Sequence, residues 1–178
     1  LKKIFLKKEA DKFHYPKTGL QKIIWLLFHK IVFGPALGYD ELKKLIKSKK
    51  IKAYIITGRN ESLQNDFNHW MVKLAANKFF SGSYYNDKNE QPYIFKEKMI
   101  RKLKLDLYIE DNWDIVSYLK NPSFATSFAK ASKVKKATEG KQKLKIFWIY
   151  NILDQHIKYG HKFSSLNSVI IKIKELIE

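Results

Sequence analysis

Two short stretches carry side chains that could do chemistry together. The first is Leu105 to Asp114, LDLYIEDNWD, an apolar run that stops at two adjacent acids, Glu110 and Asp111. A run of Leu, Tyr and Ile of this length reads as a strand buried on both faces, as in a parallel sheet. The acids then stand at its carboxyl end, which in open α/β sheets is the edge where ligands bind. Neighbouring carboxylates repel unless a positive charge sits between them, and an oxygen-seeking dication such as Mg²⁺ meets that need. The alternative is a solvated turn whose acids favour the N-terminus of the following helix.

The second stretch is Ile51 to Asn60, IKAYIITGRN, a strand over Ile51 to Ile56 followed by a polar loop that begins at Thr57. It places the Thr57 hydroxyl and the backbone N–H groups of Gly58 and Arg59 at a strand's end, beside the start of the next helix. Such an arrangement binds phosphate. Asn60 or Ser62 can cap that helix, which carries Leu63, Phe67, Trp70, Met71 and Leu74 at helical spacing. Between the two stretches, Lys96 and Lys98 are available to neutralise a phosphoryl group. Hydroxyl, lysine and acid pair around one phosphate describe phosphoryl transfer by positioning and charge neutralisation.

The elements that must position these groups alternate. Leu20 to Phe33 reads as a helix, too short and too charged to span a bilayer. Its His29 reads as a helix-surface residue. Tyr39 to Lys50 is an amphipathic helix with Asp40 and Glu41 in the first turn and lysines in the last, which suits the helix dipole. Phe79 to Tyr85 is a further strand, Tyr93 to Lys104 a helix with Phe95, Met99 and Leu103 on one face, and Trp113 to Lys120 another helix. Leu144 to Tyr150 is a strong strand, Asn151 to Phe163 a polar connection, and Leu166 to Ile177 an amphipathic helix. Strands alternating with crossover helices predict an α/β fold built on a parallel doubly wound sheet. Residues 1–38 read as a basic lead-in with a helical segment and 39–178 as the core. The small-residue, Lys-rich stretch 121–143 interrupts the core as an insertion.

At 178 residues the chain fits one domain, and 45% hydrophobic and 15% aromatic residues support a folded protein. It has no cysteine, which excludes disulfides and thiolate metal sites and fits a reducing cytoplasm. His156 and His161 lack a third partner at zinc spacing other than Asp154. The formal net charge of +18 raises nucleic acid as a partner. All but two of the 35 basic residues are lysines, however, and arginine is the side chain suited to reading phosphate and base edges in pairs. A basic module for RNA or other polyanions is therefore the second reading. Attraction of a small phosphorylated substrate is the first.

Three of these stretches, in this order, resemble motifs of the haloacid dehalogenase superfamily, mostly Mg²⁺-dependent phosphatases. AYIITGR, Ala53 to Arg59, is similar to the family's second motif, a strand ending in Thr or Ser that binds phosphoryl oxygens. FKEKMIRKL, Phe95 to Leu103, resembles the region of the third, which supplies a lysine; Lys96 is the better match and Lys98 the other. YIEDN, Tyr108 to Asn112, is similar to the fourth, the acid pair that holds Mg²⁺. The resemblance covers about residues 39–120, with 144–150 fitting the next core strand, and the style of ITGR and IEDN is closest to the 5′-nucleotidase-like branch. It implies a Rossmann-like core, a phosphatase acting on a small phosphorylated substrate such as a nucleotide, and Mg²⁺ held by Glu110 and Asp111. It implies phosphate contacts from Thr57, Gly58, Arg59 and Lys96, with Thr57 and Lys96 in catalytic roles. The family's first motif, a strand followed by Asp-x-Asp that supplies the nucleophile, is not in the sequence; Asp11 and Asp40 stand alone. That motif is expected upstream of Leu1, with residues 1–38 as the tail of a cap, or lost. Either way residues 1–178 are expected to be inactive.

Overall fold

A computed structural model describes residues 13–31, 36–121 and 144–178. The expectations for a basic lead-in over 1–12, for the His29 side chain and for an insertion at 121–143 lie outside the described residues, except for Asn121.

The first helix, α1, runs Gly19–Ile31. Its start is fixed by a reciprocal pair, in which the Gln21 N–H donates to Thr18 Oγ1 and the Thr18 N–H to Gln21 Oε1, both at 3.3 Å. Helix α2, Tyr39–Lys47, carries Asp40 and Glu41 at its head and Lys44 and Lys47 at its tail. It stops three residues short of the sequence expectation, at a turn in which Lys49 takes a left-handed φ of 61°.

Strand β1 spans Tyr54–Asn60 and pairs in parallel with β2, Gly82–Asn86. The sequence placed this strand at 51–56 and began a loop at Thr57. Instead Thr57 is paired with Tyr85, and pairing resumes at Asn60 and Asn86 after an irregularity. Backbone pairing to β2 outweighs the polar character of TGRN because the buried polar ends find partners: Ser62 Oγ donates to Asn60 Oδ1 at 3.0 Å. Helix α3, Gln64–Lys73, follows a short 3₁₀ turn.

Helix α4, Pro92–Leu103, opens on a proline, whose missing N–H is harmless at that position, and ends at Lys104 in a left-handed turn. Strand β3, Leu107–Glu110, leads to α5, Trp113–Leu119, capped by the Asn112 side chain accepting the Asp114 N–H at 2.9 Å. Strand β4, Lys145–Ile149, is the middle of a second parallel sheet ordered β3-β4-β5, where β5 is the two-residue Lys162–Phe163. The sequence read that last pair as part of a polar connection. Helix α6, Leu166–Ile177, starts at a Ser165–Ser168 capping box.

The fold is thus mixed α/β, and among the described residues the parallel strands are divided between a two-stranded and a three-stranded sheet. Ile146, Phe147 and Trp148 of β4 are all buried, as expected of a strand covered on both faces. Trp148 packs with Ile100 of α4 and Ile115, Val116 and Leu119 of α5. Phe147 packs with Leu45 of α2 and Val169, Ile170 and Ile173 of α6. A third cluster joins Tyr39 to Phe67 and Met71 of α3. No helix among the described residues is long and apolar enough to cross a membrane.

Candidate functional site

Helix α4 lies against both sheets and brings Lys96 to Glu110 and Asp111 at one cleft. Its first residue, Pro92, lies so close to Gly58 that a Cβ there would sit 3.2 Å from Pro92 Cβ. The carboxyl-terminal part of β1 therefore meets the head of α4. One turn further on, Lys96 Nζ donates to Glu110 Oε2 at 2.7 Å. Glu110, the last residue of β3, meets the same head.

Between these strands lies a cleft of about 750 Å³. Ile56 of β1 and Trp70 of α3 form one side, Tyr108, Ile109, Glu110 and Asp111 the other, with Lys96 reaching in from α4. Ile149 at the end of β4 and Ser164 and Ser165 at the head of α6 complete the wall near Ala36 and Leu37.

The centre of this site is a buried ion pair. The side chains of Lys96 and Glu110 are 11% and 2% exposed, so their charges face each other with little water between them. Tyr108 donates its hydroxyl to the same Glu110 oxygen at 2.7 Å, and the Asn112 N–H donates to the other at 3.2 Å. Burial pushes the Glu110 carboxyl above the usual glutamate range; Lys96 pulls it back, and neighbouring Asp111 pushes the same way as burial. Burial, reinforced by Glu110, also holds the Tyr108 phenol well above its ordinary value, so Tyr108 stays a hydrogen-bond donor.

Of the two candidate lysines, Lys96 points at the acid pair. Lys98 reaches Glu90 instead, at 2.7 and 2.8 Å, and is largely exposed. Asp111 is exposed on the rim of the cleft. The Thr57-Gly58-Arg59 stretch is less convergent. Ile56 faces the cleft, whereas Thr57, Gly58 and Arg59 are not among the residues that line it. Thr57 Oγ1 accepts the Arg59 N–H at 3.3 Å, so that amide is turned inward on its own loop. The Arg59 guanidinium packs into α3, 3.3 Å from Asp66 Oδ2 and 5.5 Å from the Trp70 ring centre. It is a strut between β1 and α3.

Two site residues went unread in the sequence. Tyr108 looked like strand filler, and only its position two residues before Glu110, on the same face of β3, hints at the hydroxyl-to-carboxylate bond. Asn86, fully buried, donates to Tyr15 Oη and to the Glu90 carbonyl, both at 2.6 Å, and accepts the Glu90 N–H at 3.0 Å. It locks the loop that delivers α4, and nothing in its neighbourhood of polar residues singles it out.

A dication arriving here finds one free carboxylate, Asp111, and a second, Glu110, whose Oε2 is already spent on Lys96 and Tyr108. Among the described residues no three His, Cys, Asp or Glu side chains come together as a metal cage. The donor set suits a hydrated Mg²⁺ held by one or two carboxylates and a substrate's phosphate, and it does not suit a closed protein site.

No family model, no curated protein and no solved structure matches the chain.

Proposed function

We propose that the cleft between β1 and β3 is the phosphate end of a phosphoryl-transfer site of the haloacid dehalogenase type, on a Rossmann-like core. Its substrate class is a small phosphorylated molecule, with a nucleotide as the first candidate. The observation that carries this reading is the buried Lys96–Glu110 pair on the cleft wall with Asp111 on its rim. A lysine shielded from water keeps its full attraction for a phosphoryl oxygen. The order of the motif-like stretches in the sequence supports it independently.

In this reading Lys96 attracts the transferring oxygens, while Glu110 fixes the lysine and Tyr108 fixes Glu110. Asp111, with the remaining lone pairs of Glu110 Oε1, would hold Mg²⁺, which when bound neutralises phosphoryl charge. Thr57, Gly58 and Arg59 stand outside the cleft lining, so the phosphate contact of this reading rests on Lys96. Residues 1–178 contain no Asp-x-Asp pair, so they hold the phosphate without supplying a nucleophile. A cysteine-free chain handling phosphorylated metabolites suits the cytoplasm.

Phosphorus NMR titration of the full chain with inorganic phosphate and Mg²⁺ tests the proposal. Binding should need the metal and weaken at least tenfold in Asp111→Asn, an exposed position where the fold is not at stake. Phosphate that binds equally well without Mg²⁺ and in Asp111→Asn, or that does not bind at all, ends the reading.

A further inference from the structure

Helix α1 carries an apolar stripe that the fold leaves in the open. Leu20, Ile23, Ile24 and Leu27 recur at the spacing of one helical face and are 69, 58, 45 and 53% exposed. The other flank of the helix is the anchored one. Trp25, which helical geometry puts on the far side from Leu20, Ile23 and Leu27, meets the Phe13 ring edge-on with 5.7 Å between centres. Phe13 in turn exchanges two hydrogen bonds with Gln91, the residue before α4: its N–H donates to Gln91 Oε1 at 2.7 Å and its carbonyl accepts from Gln91 Nε2 at 3.2 Å. The stripe is thus turned away from the contact that holds the helix. Single exposed apolar side chains are ordinary, whereas four on one face form a patch that marks a contact surface.

The charge around the stripe says what covers it. Between Asp11 and Asp40 the sequence has no acid and four lysines, Lys12, Lys17, Lys22 and Lys30. Lys17 and Lys22 are exposed. A second copy of the chain would set the same uncompensated lysines against these, and like charges across an interface repel. An apolar face accompanied by charge of one sign, positive, is complementary to an anionic lipid surface. At 13 residues α1 is too short to span a bilayer, so its place is in the plane of the interface. We infer that α1 is a peripheral membrane-binding element for an anionic bilayer, with Leu20, Ile23, Ile24 and Leu27 entering the acyl boundary and the lysines turned to the headgroups. This inference goes beyond the phosphoryl reading and does not rest on it: membrane contact through α1 needs neither Mg²⁺ nor Asp111.

Flotation of the full chain with unilamellar vesicles tests it. Vesicles of phosphatidylcholine with about one-third phosphatidylserine should bind the chain at least tenfold more tightly than pure phosphatidylcholine. A chain of charge +18 adheres to anionic surfaces through charge alone, so insertion must be read separately. The variant Leu20→Gln/Ile23→Gln/Ile24→Gln/Leu27→Gln keeps every charge, alters only exposed side chains, and should bind the anionic vesicles at least tenfold more weakly. Because the chain has no cysteine, Ile23→Cys accepts a single polarity-sensitive fluorophore, whose emission should shift to the blue on anionic vesicles. That second readout decides the matter even if the fourfold variant fails to fold. Equal binding by a folded fourfold variant means adhesion by charge alone and overturns the inference. So does equal binding to pure phosphatidylcholine, a label whose emission does not move, or no flotation at all. A dimer in sedimentation that the fourfold variant abolishes would put a second copy on the stripe and also overturn it. Asp111→Asn should leave vesicle binding unchanged, which keeps this outcome separate from the phosphate titration.

Discussion

The Lys96–Glu110 pair is legible in the sequence as chemistry; its burial and its Tyr108 partner are not. Lysine and acid were both candidates for a phosphate site, and the two lysines part, Lys96 going to Glu110 and Lys98 to Glu90. Burial decides what the pair does to the fold. Removing one member of a buried pair strands the other, at a cost of about 3–5 kcal/mol. Lys96→Met should therefore lose about that much in urea unfolding at neutral pH. The pH dependence carries a sign. Burial raises the Glu110 pKa in the folded state, so its proton is held more tightly there than in the unfolded chain. The contribution of such a group is complete below its unfolded pKa and is lost as pH rises through the folded one. Without Lys96 the folded pKa rises further, so the deficit of Lys96→Met should be largest at neutral pH and shrink below about pH 3, where Glu110 is protonated in both states. The double variant Lys96→Met/Glu110→Gln keeps an acceptor for Tyr108 and should recover most of the loss. A deficit flat with pH, or a double variant as unstable as the single, would sink this account.

At the scale of elements, hydrophobic period located the long segments well and the edges poorly. Helices α2, α4 and α6 stand close to where Leu45 and Ile46, Phe95 and Met99, and Val169 and Ile173 required them, because those side chains are the buried face in each case. Strand β1 starts three residues later and ends four later than expected because its position is set by pairing with β2, a non-local contact that polar TGRN conceals. Strand β5 has only two residues and no pattern to read. One element junction does show in the sequence as punctuation. Gly38 sits before α2 with φ 102°, a left-handed conformation, and a Cβ there would lie 2.7 Å from the Asn167 backbone nitrogen of α6. Glycine is needed on both counts. Gly38→Ala should destabilise by about 1–3 kcal/mol through strain and the displacement of α6, lowering Tm by several degrees. Gly19, where an added Cβ meets nothing within 4 Å, is the control. Gly19→Ala should leave Tm unchanged or raise it slightly. Equal effects at the two glycines would show that the α2–α6 approach does not matter to stability.

For the whole molecule the charge is the least specific feature and the absent motif the most consequential. A surface rich in lysine binds polyanions through counterion release, so affinity for a uridine 20-mer should fall steeply between about 50 and 200 mM salt, with no preference over an adenosine 20-mer. Catalysis needs more than attraction. In the covalent route a carboxylate must attack phosphorus, and the acids at this site are unsuited to that. Glu110 is buried and holds Lys96, while Asp111 stands at the rim where it can serve a metal. With no Asp-x-Asp in the sequence, residues 1–178 should release no p-nitrophenol from p-nitrophenyl phosphate above the rate of buffer with Mg²⁺. Turnover that Asp111→Asn abolishes would mean that this carboxylate, or a metal it holds, performs the chemistry unaided. The cleft would then be a complete active site, and the holding role assigned to these residues would be wrong.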